Sequence, residues 1–156
     1  MDAISTPDNF IALAARLVLA VVLGAALGVN RELSQKPAGL RTHALVALGS
    51  ALAALVGLML RSEPSADVAG LGRVIQGLVA GVGFIGGGVI LHRDDPKGVH
   101  GLTTAASLWV VAMVGIAAGV GLWRSAVLSI ALTLFVLMAG GYIDRRLHRT
   151  DPNWRE

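Results

Sequence analysis

No cysteine occurs among the 156 residues. That excludes disulfides, zinc–thiolate centres, iron–sulfur clusters and a cysteine nucleophile. Aromatic residues make up 4% of the chain and charged residues 15%, where an average soluble domain carries about 25% charged. A net charge of only +3, with no basic stripe interleaved by aromatics, leaves nothing for nucleic acid to bind, and no nucleic-acid partner is expected. No HExxH helix, Walker A lysine or Ser–His–Asp order is present, so neither an enzyme nor a catalytic residue is expected. The last absence is acidic. No Asp or Glu falls within any of the five long apolar runs, which removes the buried carboxylates that cation and proton carriers commonly use.

Those runs are what the chain does have. Hydrophobic residues make up 54% of it, gathered at about 10–29, 43–60, 74–91, 103–122 and 125–143. Each approaches the roughly 20 residues that cross a hydrocarbon core of about 30 Å, and in lipid such a run must be a helix, because an open strand leaves its backbone unsatisfied. The expected fold class is therefore an all-α membrane protein of five transmembrane helices in a tightly packed, Gly-rich bundle. The polar tail 1–9 lacks the basic start of a secretory signal. The segment 144–156 is a charged tail, and Trp123–Arg124 reads as the break between the last two spans. With the N-terminus outside, the inner segments hold nine Lys and Arg and the outer segments only Arg61, Arg73 and Arg124. This asymmetry predicts an outside N-terminus and an inside C-terminus.

Glycine is abundant, at 20 residues. The hairpin from Arg73 to Gly121 is expected to form the centre of the bundle, its first arm carrying Gly77, Gly81, Gly83, Gly86, Gly87 and Gly88. Small-xxx-small pairs also occur at Gly24/Gly28 and Gly115/Gly119. Such pairs let helix backbones approach closely, within one chain or between copies of it, and the sequence leaves both open. The literal GxGxxG at Gly81–Gly86 lies inside an apolar run, without the strand or following acid of a dinucleotide site, and reads as helix contact.

The polar residues left in or beside the spans are the candidate functional cluster. Arg16 lies inside the first span. It either snorkels to the surface or faces the interior, where its partner must be a carbonyl or a loop acid such as Asp8, Glu63 or Asp67. The densest cluster is Arg31, Glu32, Lys36, Arg41, Thr42 and His43, a set of basic anchors or a cytoplasm-facing site for an anion, nucleotide or protein. Arg73 and Gln76 stand at the mouth of the third span, Gln76 suited to an interhelical hydrogen bond. Thr103 and Thr104 open the fourth span as N-cap candidates, with Ser107 one turn on. His92, Asp94, Asp95 and His100 share a loop. Beside Arg93 and Lys97 they read as solvated, so no cofactor is assigned and Mg²⁺ is only weakly supported.

Read together, Arg16-Leu17, Gly24, Gly28, Arg31-Glu32 and the run Lys36–His43 (KPAGLRTH), followed by Leu48–Leu52, resemble the MgtC/SapB membrane family. So do Arg73, Gln76, Gly81, Gly83–Gly86, Gly88, Gly101–Ala106 (GLTTAA) and Leu108-Trp109. The resemblance covers about residues 10–143. It implies a multi-pass protein of the bacterial inner membrane, of the short type without a C-terminal soluble domain. It also implies a link to magnesium homeostasis, to survival in host cells and to restraint of the F-type ATP synthase. Asn30 stands where the family usually has an acid. Two functions are carried forward: a non-enzymatic regulator acting through a membrane partner such as ATP synthase, with a homo-oligomer an open option, or a carrier or channel for Mg²⁺ or a small anion.

Overall fold

A computed structural model describes residues 9–59, 67–91 and 100–147. The chain forms α1 (Phe10–Leu33), α2 (Leu40–Met59), α3 (Asp67–Leu91), α4 (Leu102–Gly119) and α5 (Trp123–Leu147). All described regular structure is helical, and all five helices contain a stretch long and apolar enough to cross a membrane. The protein is a multi-pass membrane protein built as a helical bundle. Its exposed Leu, Val, Ile and Phe side chains, such as Val22, Phe84, Leu132 and Phe135, are the surface that lipid covers.

The first two helices extend further towards each other than the apolar runs do, so Arg31, Glu32, Arg41, Thr42 and His43 are helical rather than in a loop. The reason lies in how the ends are closed. After Ser34, the Gln35 N–H donates to the Glu32 carbonyl at 2.9 Å and the Lys36 N–H to the Arg31 carbonyl at 3.1 Å, the paired bonds of a Schellman ending. That ending puts Gln35 in the left-handed region, at φ 54. A side chain there carries a penalty of about 1 kcal/mol that glycine avoids. Gln35→Gly is expected to stabilise the protein by up to about 1 kcal/mol, seen as a higher thermal-unfolding midpoint in detergent; a lower midpoint would show that the Gln35 side chain contributes more than its backbone costs. Glu32 then closes the turn from the other side. Its Oε2 accepts the Leu40 N–H at 2.9 Å, so a carboxylate at the end of α1 caps the start of α2, where the helix dipole favours negative charge.

At the opposite end of the bundle α4 stops at Gly119 and α5 starts at Trp123, so the break is Val120–Leu122 rather than Trp123–Arg124. Gly121, at φ 94, turns the chain across the Arg16 guanidinium, and a Cβ there would come within 3.1 Å of Arg16 Nη2. Arg16 Nη1 donates to the Gly119 carbonyl at 3.1 Å. Its partner is a carbonyl, one of those the chemistry allows, and the part-buried cation closes the C-terminus of α4. Arg124 stacks over the Trp123 ring, 5.0 Å from its centroid, at the start of α5.

The centre of the bundle is α4, with 56% of its most apolar stretch buried, against 11% for α3. The main core joins Ala20, Leu23 and Leu27 of α1, Ala47 and Ala51 of α2, Val111, Val114 and Ala118 of α4, and Ala126 and Ile130 of α5. This corrects the expectation that the whole 73–121 hairpin is central: its second arm is, and its first lies at the edge. The glycines explain why. A Cβ on Gly115 would run into the Ala47 carbonyl, one on Gly119 would come within 2.5 Å of the Ala51 carbonyl, and one on Gly24 within 2.7 Å of the His43 carbonyl. Gly28 meets Leu40 just as closely, at 2.6 Å. At these four, α1, α2 and α4 approach one another backbone to backbone. On α3 only Gly86 packs, against Ala105 at 3.3 Å, while a Cβ on Gly77, Gly81, Gly83, Gly87 or Gly88 would meet nothing within 4 Å. The packing role expected of those five is not met inside the chain. Instead α3 is held by side chains, with Val82 in a cluster beside Leu108 and Ala112, and Leu71, Ile75 and Leu78 against Ala54, Leu58 and Ile116.

Candidate functional site, a buried polar network between three helices

The last turn of α1 meets the first turns of α2 and α4 at one end of the bundle. Arg31 is only 4% exposed there, and His43 is fully buried. Arg31 Nη2 donates to Thr104 Oγ1 at 2.9 Å, tying α1 to α4. The Ser107 hydroxyl donates to the Thr104 carbonyl at 2.8 Å and stands 3.0 Å from His43 Nε2, tying α4 to α2. His43 Nδ1 lies 2.9 Å from the Gly39 carbonyl one turn back. A charged donor on a buried hydroxyl is among the stronger neutral-partner hydrogen bonds, and each of these groups would be costly to leave without one.

The protons of this network can be counted. A carbonyl only accepts, so the Gly39 contact needs a proton on Nδ1 and the Thr104 carbonyl needs the Ser107 proton. A neutral His43 and Ser107 bring two protons to three contacts, and the Nε2–Ser107 contact competes for the serine proton. The Ser107 hydroxyl can therefore donate to the Thr104 carbonyl or, by rotation, to Nε2 of a neutral His43. It holds no activated nucleophile and no acid.

Local sequence explains the convergence. Gly101, at φ 86, is the N-cap of α4, and no side chain caps that end. This corrects the expectation that a threonine caps α4. A Cβ on Gly101 would meet the Val89 carbonyl at 3.0 Å, so the entry into α4 is pressed against α3. Thr103 then faces outward and Thr104 inward, with Ser107 one turn behind it. Beside the network lies a polar cavity of about 420 Å³ lined by Arg31, Lys36, His100, Thr103 and Thr104 together with the turn that ends α1.

The other candidates are dispersed. Glu32 caps α2. Arg41 is exposed and Thr42 half-buried on the first turn of α2. Arg16, bonded to Gly119, is about 22 Å along α4 from Thr104 at 1.5 Å per residue. Gln76 is exposed on α3 and not in the network, and Arg73 borders a separate groove. His92, Asp94, Asp95, Asp8 and Glu63 lie outside the described residues. Among the described residues no three of His, Cys, Asp and Glu cluster as metal ligands would. Ser107 and the Gly39 carbonyl are the members that residue-by-residue reading undervalued. The signal for Ser107 is its spacing of three from Thr104, one face of one turn.

Comparison with known proteins matches this chain to the model of the MgtC family over residues 17–146. SrpB of Synechococcus elongatus is 42% identical over 146 residues, 88% of this chain and 80% of SrpB. YhiD of Escherichia coli K12, whose name proposes a magnesium transporter, is 42% identical over 125 residues. MgtC of Salmonella typhimurium is 39% identical over 123 residues. The match spans 57% of YhiD and 48% of MgtC. No solved structure matches.

Proposed function

The chain belongs to the MgtC family, and from that premise we propose that it is a non-enzymatic regulator in the bacterial inner membrane, acting on magnesium homeostasis or membrane energetics through contact with a membrane partner such as the F-type ATP synthase. In this reading the Arg31 end faces the cytoplasm, as the asymmetry of basic residues predicts. One observation carries the choice of regulator over Mg²⁺ carrier. The buried polar residues among those described are Arg31, His43, Ser50, Thr104 and Ser107: a cation, an imidazole and three hydroxyls, with no carboxylate. Magnesium is a hard ion that demands near-octahedral oxygen ligation and sheds water reluctantly. An interior whose fixed charge is a guanidinium repels it.

The second reading, a carrier, draws on the name of YhiD and on the cavity beside Arg31, whose basic lining suits a small anion better than Mg²⁺. The deciding experiment measures Mg²⁺ and chloride flux in vesicles holding purified protein, alongside capture of ATP synthase from solubilised membranes. The expected result is flux no greater than in protein-free vesicles, with co-purification of the synthase. Saturable flux of either ion, lost in Arg31→Gln with helix content retained, would establish the carrier instead.

A further inference from the structure

A second concavity lies on the lipid-facing side, between α2 and α3, where Gly49 and Ala53 face Gly77, Gly81 and Ile85 and Arg73 closes one end. Its volume is about 590 Å³. The walls are apolar, and the missing side chains of Gly49, Gly77 and Gly81 make the space: a Cβ at any of the three would meet nothing within 4 Å. The charge at its end is that of Arg73, an exposed side chain near the start of the membrane-crossing stretch Gly70–Leu91, where lipid headgroups lie.

The length of the groove and the charge at its end point to the occupant. From Arg73 to Ile85 the groove follows α3 for about 18 Å at 1.5 Å per residue. One leaflet of a core about 30 Å thick is roughly 15 Å deep. An acyl chain of one leaflet matches that length, and its headgroup end falls beside Arg73. At the end where the chain would carry its headgroup stands a guanidinium, whose planar fork matches two phosphate oxygens. We propose that this groove is a site for an anionic phospholipid, one acyl chain lying along Gly77 and Gly81 and its phosphate held by Arg73. The site stands apart from the Arg31 network and serves a regulator or a carrier equally.

The test is native mass spectrometry of the purified full-length protein, titrated with phosphatidylglycerol or phosphatidylcholine of the same acyl chains. The wild type is expected to retain the anionic lipid about five-fold better, the effect of one basic residue near an anionic headgroup. Arg73→Gln is expected to abolish that preference. Gly77→Leu and Gly81→Leu, which extend side chains into open space, are expected to reduce retention of both lipids without loss of helix content by circular dichroism. Equal retention of the two lipids by the wild type, or a preference that survives Arg73→Gln, overturns the proposal even if the leucine variants fail to fold. So does efficient disulfide cross-linking between copies of a Gly81→Cys variant in membranes, which would assign the groove to a second chain.

Discussion

Gly115→Ala is expected to destabilise the protein by about 2–3 kcal/mol, the effect of a single methyl group placed against backbone. The Cβ it adds would run into the Ala47 carbonyl. A flexible side chain would swing away, but the carbonyl is held within α2, so α2 and α4 must separate along the seam that buries Ala47, Ala51, Val111, Val114 and Ala118. Close approach of small residues is the attraction left to helices in lipid, where apolar surface has no water to escape. The comparison that makes this specific is Gly77→Ala, an identical chemical change on α3, where a Cβ meets nothing within 4 Å. Its expected effect is within about 0.5 kcal/mol of zero. Thermal unfolding in one detergent, followed by far-ultraviolet circular dichroism, reads both. Equal losses for the two variants would mean that α3 also packs through its glycines, in an assembly that buries them.

The second large effect is expected at Arg31→Ala. Arg31 is 96% withdrawn from solvent, by its 4% exposure, and bonds Thr104 at 2.9 Å across the α1–α4 contact. Its removal loses a charge-assisted hydrogen bond, about 1.5–3 kcal/mol, and the packing of its aliphatic stem. The expected total is about 2–4 kcal/mol. Thr104→Val keeps shape and removes only the hydroxyl, so a cycle of Arg31→Ala, Thr104→Val and the double variant isolates the bond, with an expected coupling of roughly 1–2 kcal/mol. Additive losses would show that Arg31 serves the fold through other contacts. Arg31→Lys is expected to recover little, because an ammonium on a flexible stem does not reproduce the fork of a guanidinium.

How far the site was legible in the sequence varies residue by residue. Arg31, His43 and Thr104 stood out because polar groups at the ends of apolar runs are few. Their union did not, since Arg31 and Thr104 are 73 positions apart and nothing local says that α1 and α4 touch. Arg16 was conspicuous as a charge inside a span with no acid in reach, so a carbonyl was one of the partners the chemistry allowed. That the carbonyl is Gly119's depends on where α4 stops. Gln76 misled for the opposite reason: its polarity suggested an interhelical bond, but the face that carries it looks outward. The glycines of α3 misled in the same way. Spacing identifies which helices could pack by backbone contact, but Gly24 and Gly115 have Ala47 opposite them and Gly81 has open space.

By itself the sequence determined the number of membrane-crossing helices, the all-helical class and the family. Each of these follows from quantities that add along the chain, namely the length of an apolar run, the scarcity of charge within it and the order of short motifs. Only the tertiary structure decided that α4 rather than α3 is the centre, that Arg16 closes a helix while Arg31 joins two, and that an apolar groove between α2 and α3 lies beside Arg73. All five helices are apolar on nearly every side, so hydropathy does not say which face turns inward. That choice is made by steric fit between small residues on different helices and by the few buried polar groups that must find one another.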